Sequence, residues 1–327
     1  MNFPTQRNEK RSTMFYSQSR AIQILTLNFL LTLFGIIPGS AQEFIPLWPK
    51  GFIPNSDDSI MEDSIANDRI YKVGIPGMWA FFPLVQENKG TAVIICPGGG
   101  YQRLAYDASG FQIAKWFNTF GVNAFVLKYR LPNAPHLQNR QIIPLQDAQR
   151  AMRIIRAHAQ QWGILTDNIG IFGTSAGGHL AATLGTQSED VSSIKDSLDK
   201  ISFHPNFLIL ISPVIDLGKF AHVGSRENLL GPKPSEELIN KYSPHLHVTS
   251  GTPPSFIVHA LNDPAVPVRN SLLFYQALLD SNVSVSFHEF PQGAHSIGIH
   301  DNPGSTDLWT SLCEMWLKEM GFISQKK

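Results

Sequence analysis

Gly173-Thr174-Ser175-Ala176-Gly177-Gly178 follows directly on the apolar run Ile169-Gly170-Ile171-Phe172. The stretch fits the Gly-x-Ser-x-Gly pattern of a nucleophile elbow: a strand enters a sharp turn, the turn carries a serine, and a helix leaves at once. The serine backbone must be strained for its hydroxyl to stand clear of the sheet. A side chain at Gly173 or Gly177 would collide with the flanking strand or helix. The strand-like run before the turn and His179-Leu180-Ala181-Ala182-Thr183-Leu184 after it supply the context that the bare pattern lacks. The competing reading is a glycine-rich turn that only joins a strand to a helix.

Outward from this turn, short apolar runs recur at Ala92 to Cys96, Val122 to Tyr129, Phe207 to Ile211 and Ser255 to Ala260, and an alternating run from Val283 to Phe290 closes the series. Continuous apolar runs suit strands covered on both faces. Between them Ala148, Met152, Ile155 and Ala159 recur at helical spacing, as do Trp309, Leu312, Cys313, Trp316 and Met320. Such stripes are read as core packing. The alternation predicts an α/β fold: a mostly parallel sheet, right-handed crossovers and helices on both faces, in three layers. Ile70 to Pro83 suggests short strands or a hairpin, and Phe44 to Pro54 an arm across the domain. Gln187 to Pro205 and Asp216 to Thr252 read as irregular insertions over the edge that carries Ser175.

The 327 residues are 43% hydrophobic and 16% charged, enough for a substantial core in one large domain. Lys+Arg and Asp+Glu number 26 each. That balance argues against nucleic acid as the main partner. Arg7, Lys10, Arg11 and Arg20 precede an apolar stretch from Ile24 to Ile37, followed by Pro38-Gly39-Ser40-Ala41. This reads as a secretory signal peptide over 1–41, cut after Ala41, with Met14 as an alternative start and 42–327 as the mature domain. The apolar stretch is shorter than the roughly 20 residues a spanning helix needs. The expectation is a periplasmic or secreted protein with no stable membrane insertion; the alternative is an uncleaved anchor. Cys96 and Cys313 read as two buried thiols, with a disulfide as the alternative in an exported chain. No Cys or His spacing suggests a metal site.

A serine hydroxyl needs an adjacent base, and in this type of fold the chain order is Ser, acid, His. Asp263 lies just past the strand Phe256 to Ala260, and His295 on a loop after the strand Ser284 to Phe290. Alone, Asp263 could cap the helix that begins near Pro267, and His295 could be an ordinary loop residue. Together, in this order after an elbow, they read as the acid and base of a catalytic triad with Ser175. Negative charge on a carbonyl oxygen needs fixed N–H donors, each worth about 2.7–4 kcal/mol in the transition state. Gly99 and Gly100, in Cys96-Pro97-Gly98-Gly99-Gly100-Tyr101, are assigned as donors with Ala176 as their partner. A flexible turn is the alternative; a phosphate loop lacks its Lys-Ser/Thr. His179 reads as packed and His259 lies within a strand, whereas His204, His245 and His247 lie in loops that could touch substrate. Asp147 and Arg150 read as scaffold.

With these residues assembled, the chain resembles the α/β-hydrolase superfamily from about Leu47 to its C-terminus. It is most similar to the bacterial esterase/lipase-like branch that includes acetyl xylan esterases and related carbohydrate acetylesterases. The marks are Leu47-Trp48-Pro49, Val93 to Tyr101, Phe125 to Pro132, Asp147-Ala148-Gln149-Arg150-Ala151, and the elbow through Ala181. Pro97 stands where hormone-sensitive-lipase-like relatives carry a histidine before three glycines. The resemblance maps nucleophile, acid and base to Ser175, Asp263 and His295. It implies ester hydrolysis without metal or organic cofactor, on an acetylated carbohydrate of the xylan type. Tyr101, Trp48 and Trp79 could then stack on sugar rings, or belong to the core. The rival functions are a feruloyl or other carboxylesterase or peptidase of the same fold, and a non-catalytic sugar-binding homologue.

Overall fold

The computed structural model describes Met1 and residues 43–57, 62–295 and 297–324. The expected signal peptide and its cleavage site lie outside the described residues. The chain parts into two compact units, Met1–Ala41 and Gln42–Lys327, and every element below belongs to the second. In order these are β1 (Glu43–Pro46), β2 (Ser64–Ala66), β3 (Arg69–Lys72), β4 (Gly77–Phe81), β5 (Ala92–Cys96), α1 (Gln112–Thr119), β6 (Asn123–Lys128), α2 (Ile143–Ala157), β7 (Ile169–Thr174), α3 (Ala176–Thr186), β8 (Leu208–Ile211), α4 (Val223–Leu230), α5 (Glu236–Lys241), β9 (Ser255–Ala260), α6 (Arg269–Asp280), β10 (Val285–Phe290) and α7 (Leu308–Glu319).

Eight strands form one sheet in the order β1-β4-β6-β5-β7-β8-β9-β10. β6 to β10 run parallel with β5, and β4 and β1 add antiparallel at one edge. From β5 the chain steps to β6 on one side and later to β7 on the other. This is the switch point at which open α/β sheets build their crevice. Successive side chains of a strand point to opposite faces, so each apolar run feeds two cores. Ile94, Ile171, Leu210 and Ile257 pack with Met152 and Ile155 of α2, Leu180 and Leu184 of α3, and Phe274 of α6. Val93, Ile95, Phe172, Ile209 and Phe256 pack with Phe117 of α1 and with Trp309 and Trp316 of α7. Each such buried side chain contributes about 1.5–3 kcal/mol.

Cys96 and Cys313 are buried and unpaired, and fall in opposite cores. The sheet between them accounts for the missing disulfide. Ile70 to Pro83 is not a hairpin. β3 pairs with β2 in a separate ribbon, while β4 joins the main sheet. Pro76, which has no N–H to give a ladder, stands between them. The arm from Phe44 closes the sheet edge through β1 and then plants the buried Trp48 on α2. Gln187 to Pro205 does not lie over Ser175. Arg150, Arg153 and Gln149 stitch it along α2 through Asp196, Asp190 and the Glu189 carbonyl. Asp216 to Thr252 is more regular than expected: His222 and Ser235 cap the short helices α4 and α5. The fully buried Asn270 of α6 holds the start of that segment, accepting the Ile215 and Asp216 amides and donating to the Phe220 carbonyl. No helix among the described residues is long and apolar enough to cross a membrane.

Candidate active site

The elbow forms as the spacing predicts. Ser175 has φ 58° and ψ −121°, a left-handed backbone that a serine adopts only where its surroundings enforce it. Its amide donates to the Ile211 carbonyl, and its carbonyl accepts from His179 and Val214. A Cβ on Gly173 would stand 2.1 Å from the Gly177 carbonyl oxygen, and one on Gly177 would stand 2.0 Å from that of Cys96. The helix therefore starts against the sheet with no room for a side chain at either position.

Ser175, His295 and Asp263 come from the ends of β7, β10 and β9 and meet in one line. His295 Nε2 lies 2.8 Å from Ser175 Oγ, and His295 Nδ1 lies 2.7 Å from Asp263 Oδ2. A carboxylate only accepts, so Nδ1 carries the proton and Nε2 is left to accept from the serine hydroxyl. Asp263 does not cap α6, whose N-cap is Val268. Its Oδ1 instead accepts the Ala265 and Val266 amides at 2.8 and 2.9 Å. Burial would raise the Asp263 carboxyl, but hydrogen bonds from His259, His295 and Val266 outweigh it and hold the pKa far below the usual carboxylate range. The base loop is fixed by Asn262, whose Oδ1 accepts the Ala294 amide.

His259, a residue of β9, is a further partner of Asp263. Its Nδ1 meets the Ser271 hydroxyl at 2.7 Å. Its Nε2–H is shared between the Val266 carbonyl at 2.9 Å and Asp263 Oδ2 at 3.2 Å. A histidine four residues before an acid at a strand end was the available signal. No motif pointed to His222, which the charge of His295 also reaches.

The glycine loop after β5 lies against the elbow, with a Cβ on Gly98 only 3.2 Å from that of Ser175. Side chains pin its other groups: Gly98 N–H to Ser109, the Pro97 carbonyl to Tyr129, and the Gly100 carbonyl to Asn228. The amides of Gly99, Gly100 and Ala176 have no hydrogen-bond partner among the described residues. Gly99 and Gly100 have φ 137° and 64°, which glycine accepts without strain.

The aromatic expectations are corrected. Tyr101 is 1% exposed, and its hydroxyl donates to His179 Nδ1 at 2.7 Å, so its ring is spent on the scaffold and offers no face to a sugar. Trp48 donates to Asp147, and Trp79 packs among Phe44, Tyr106 and Phe111. No group of three or more His, Cys, Asp or Glu that could hold a metal occurs among the described residues.

His179 completes the Tyr101 tether by donating Nε2–H to the Tyr242 carbonyl at 2.8 Å. Burial outweighs that bond and pushes its pKa down to about 4. From pH 6.5 to 4 the unfolded chain therefore holds a proton that the folded one lacks. Stability falls with pH through that window, by about 3 kcal/mol in all. His179→Gln costs stability at pH 7, and urea unfolding should show that cost shrinking as the pH is lowered to 4. A constant cost would refute the linkage.

A family model described as BD-FAE matches residues 80–278. The chain is 34% identical over 249 residues to an acetylxylan esterase of Xylanibacter ruminicola, covering 75% of this chain and 47% of that protein. It is 33% identical over 229 residues to endo-1,4-beta-xylanase B of Butyrivibrio fibrisolvens, covering 69% of this chain and 35% of that one. It thus spans about half or less of these relatives' lengths. Among solved structures, an acetyl ester-xyloside bifunctional hydrolase of Caldicellulosiruptor lactoaceticus superposes with a TM-score of 0.75 at 36% identity, covering 89% of this chain and all of that one. The fold is that of the α/β-hydrolases. With a family model spanning more than half its length, the chain belongs to the BD-FAE family.

Proposed function

We propose that this protein is an exported serine esterase that removes acetyl groups from carbohydrate of the xylan type. The observation that carries the reading is the unbroken hydrogen-bonded line from Ser175 through His295 to Asp263. In this mechanism His295 Nε2 takes the hydroxyl proton as Ser175 Oγ attacks the acetyl carbonyl. The oxyanion is met by the amides of Gly99 or Gly100 and of Ala176. Collapse breaks the bond to the sugar oxygen, which receives the proton from His295, and an acetyl-enzyme remains. Water, deprotonated by His295, releases acetate. Asp263 stays anionic, fixes the imidazole tautomer and balances the imidazolium. The named relatives support the acetyl group and the xylan-type alcohol. Export rests on the basic flank and apolar stretch ahead of Ala41.

The test treats the secreted protein with a fluorophosphonate, and N-terminal sequencing of that material should begin at Gln42. The expected result is acetate release from acetylated xylan, abolished by the probe, with the probe's mass on the peptide holding Ser175. Cleavage of 4-nitrophenyl acetate without acetate release from xylan would overturn the substrate and keep the mechanism. A probe bound elsewhere, or none, would overturn the mechanism.

A further inference from the structure

His222 caps α4, a position usually filled by a short Ser, Thr, Asp or Asn side chain. The imidazole uses one nitrogen for this. Nδ1 accepts the Ser225 amide at 3.1 Å and lies 2.8 Å from the buried Ser225 hydroxyl. A ring nitrogen that accepts a backbone N–H carries no proton, so the neutral ring holds its proton on Nε2. Burial first, then the charge of His295, lowers the His222 pKa against the opposing pull of Asp263, which favours that neutral ring. Nε2 has no hydrogen-bond partner among the described residues and is not enclosed by them. Capping could be done by a serine; the imidazole adds an open donor.

The placement of that donor is fixed. Its neighbour Cε1 is 3.6 Å from where a Cβ on Gly100 would stand. On the same helix, Asn228 clamps the Gly100 carbonyl at 2.8 Å and is itself held by Arg140. The ring thus borders the glycine loop that lies against Ser175, close enough to the site for the charge of His295 to reach it. In the esterase reading the loop amides serve the acyl oxygen and His295 serves the alcohol oxygen. Resting on that reading, we propose that His222 Nε2–H is a specificity-determining donor for the alcohol half of the ester. It hydrogen-bonds a hydroxyl on the carbon next to the esterified one, so that monoesters of vicinal diols outcompete plain alkyl esters.

Cyclohexyl acetate and trans-2-hydroxycyclohexyl acetate differ only by that hydroxyl. The readout is the ratio of their kcat/KM values in the wild type, in His222→Asn, which keeps a capping oxygen, and in His222→Phe, which keeps a ring. The wild type should favour the hydroxylated ester by about five- to tenfold, as one partly exposed hydrogen bond implies. In both variants the ratio should fall to about one. A wild-type ratio near one, or a variant ratio unchanged because both esters lose in proportion, overturns the proposal and leaves the esterase reading standing. If the wild type cleaves neither ester and no other acetate, the esterase reading fails and the proposal falls with it.

Discussion

Ser175→Ala lowers kcat for acetyl ester hydrolysis by about 10⁴- to 10⁶-fold while the protein stays folded. In the proposed mechanism the loss is large because the three groups act as a unit. With the oxygen gone, His295 has no hydroxyl to deprotonate, and the amides of Gly99, Gly100 and Ala176 can only polarise a carbonyl that nothing attacks. The fold survives because the serine side chain makes no capping bond to α3, and alanine meets the same backbone demand at φ 58°. The check is 4-nitrophenyl acetate turnover beside a thermal melt. Residual activity above one per cent with an unchanged melt would place the nucleophile elsewhere.

Asp147→Ala costs about 3–5 kcal/mol of folding stability. Asp147 is fully buried on α2, and Arg130, just past β6, is 1% exposed. The carboxylate accepts from Arg130 Nε, from Nη2 at 2.7 Å, from the Arg130 amide at 2.8 Å and from the Trp48 indole at 2.9 Å. Removing it leaves a guanidinium in the core, where the uncharged Gln146 side chain and Pro54 carbonyl remain as acceptors. It also frees the arm that carries Trp48. The double variant Arg130→Met/Asp147→Leu, which removes both charges, should recover much of the loss. Urea unfolding of the two variants measures the difference. A single variant within 1 kcal/mol of the wild type would show that water reaches the pair.

The sheet was legible because its central strands are buried on both faces. Ala92 to Cys96 reads as an uninterrupted apolar run and Ser255 to Ala260 as an apolar run that admits Ser255 and His259, and the strands end where the runs do. The positions that meet in the candidate site were legible for a related reason. Gly173 and Gly177 have no space for a side chain, and Ser175, Asp263 and His295 each lie in the segment that leaves a strand's C-terminal end. What stayed hidden depends on contacts between distant segments. Pro76 splits Ile70 to Pro83 between two sheets, and only the partners β2 and β6 reveal it. Tyr101 is adjacent to the glycine loop in sequence, yet its ring belongs to His179, 78 residues on. His222 carries no motif and His259 only its spacing four residues before Asp263, since each acts through hydrogen bonds that a one-dimensional pattern does not encode.

The left-handed backbone at Ser175 has an evolutionary consequence. Glycine would occupy φ 58° without steric cost, so the foldability of this turn alone favours glycine at position 175. Under the proposed mechanism a serine persists there by selection for its hydroxyl. Drift released from that selection would run toward glycine, and position 175 is where a descendant lineage that had given up chemistry would show it first.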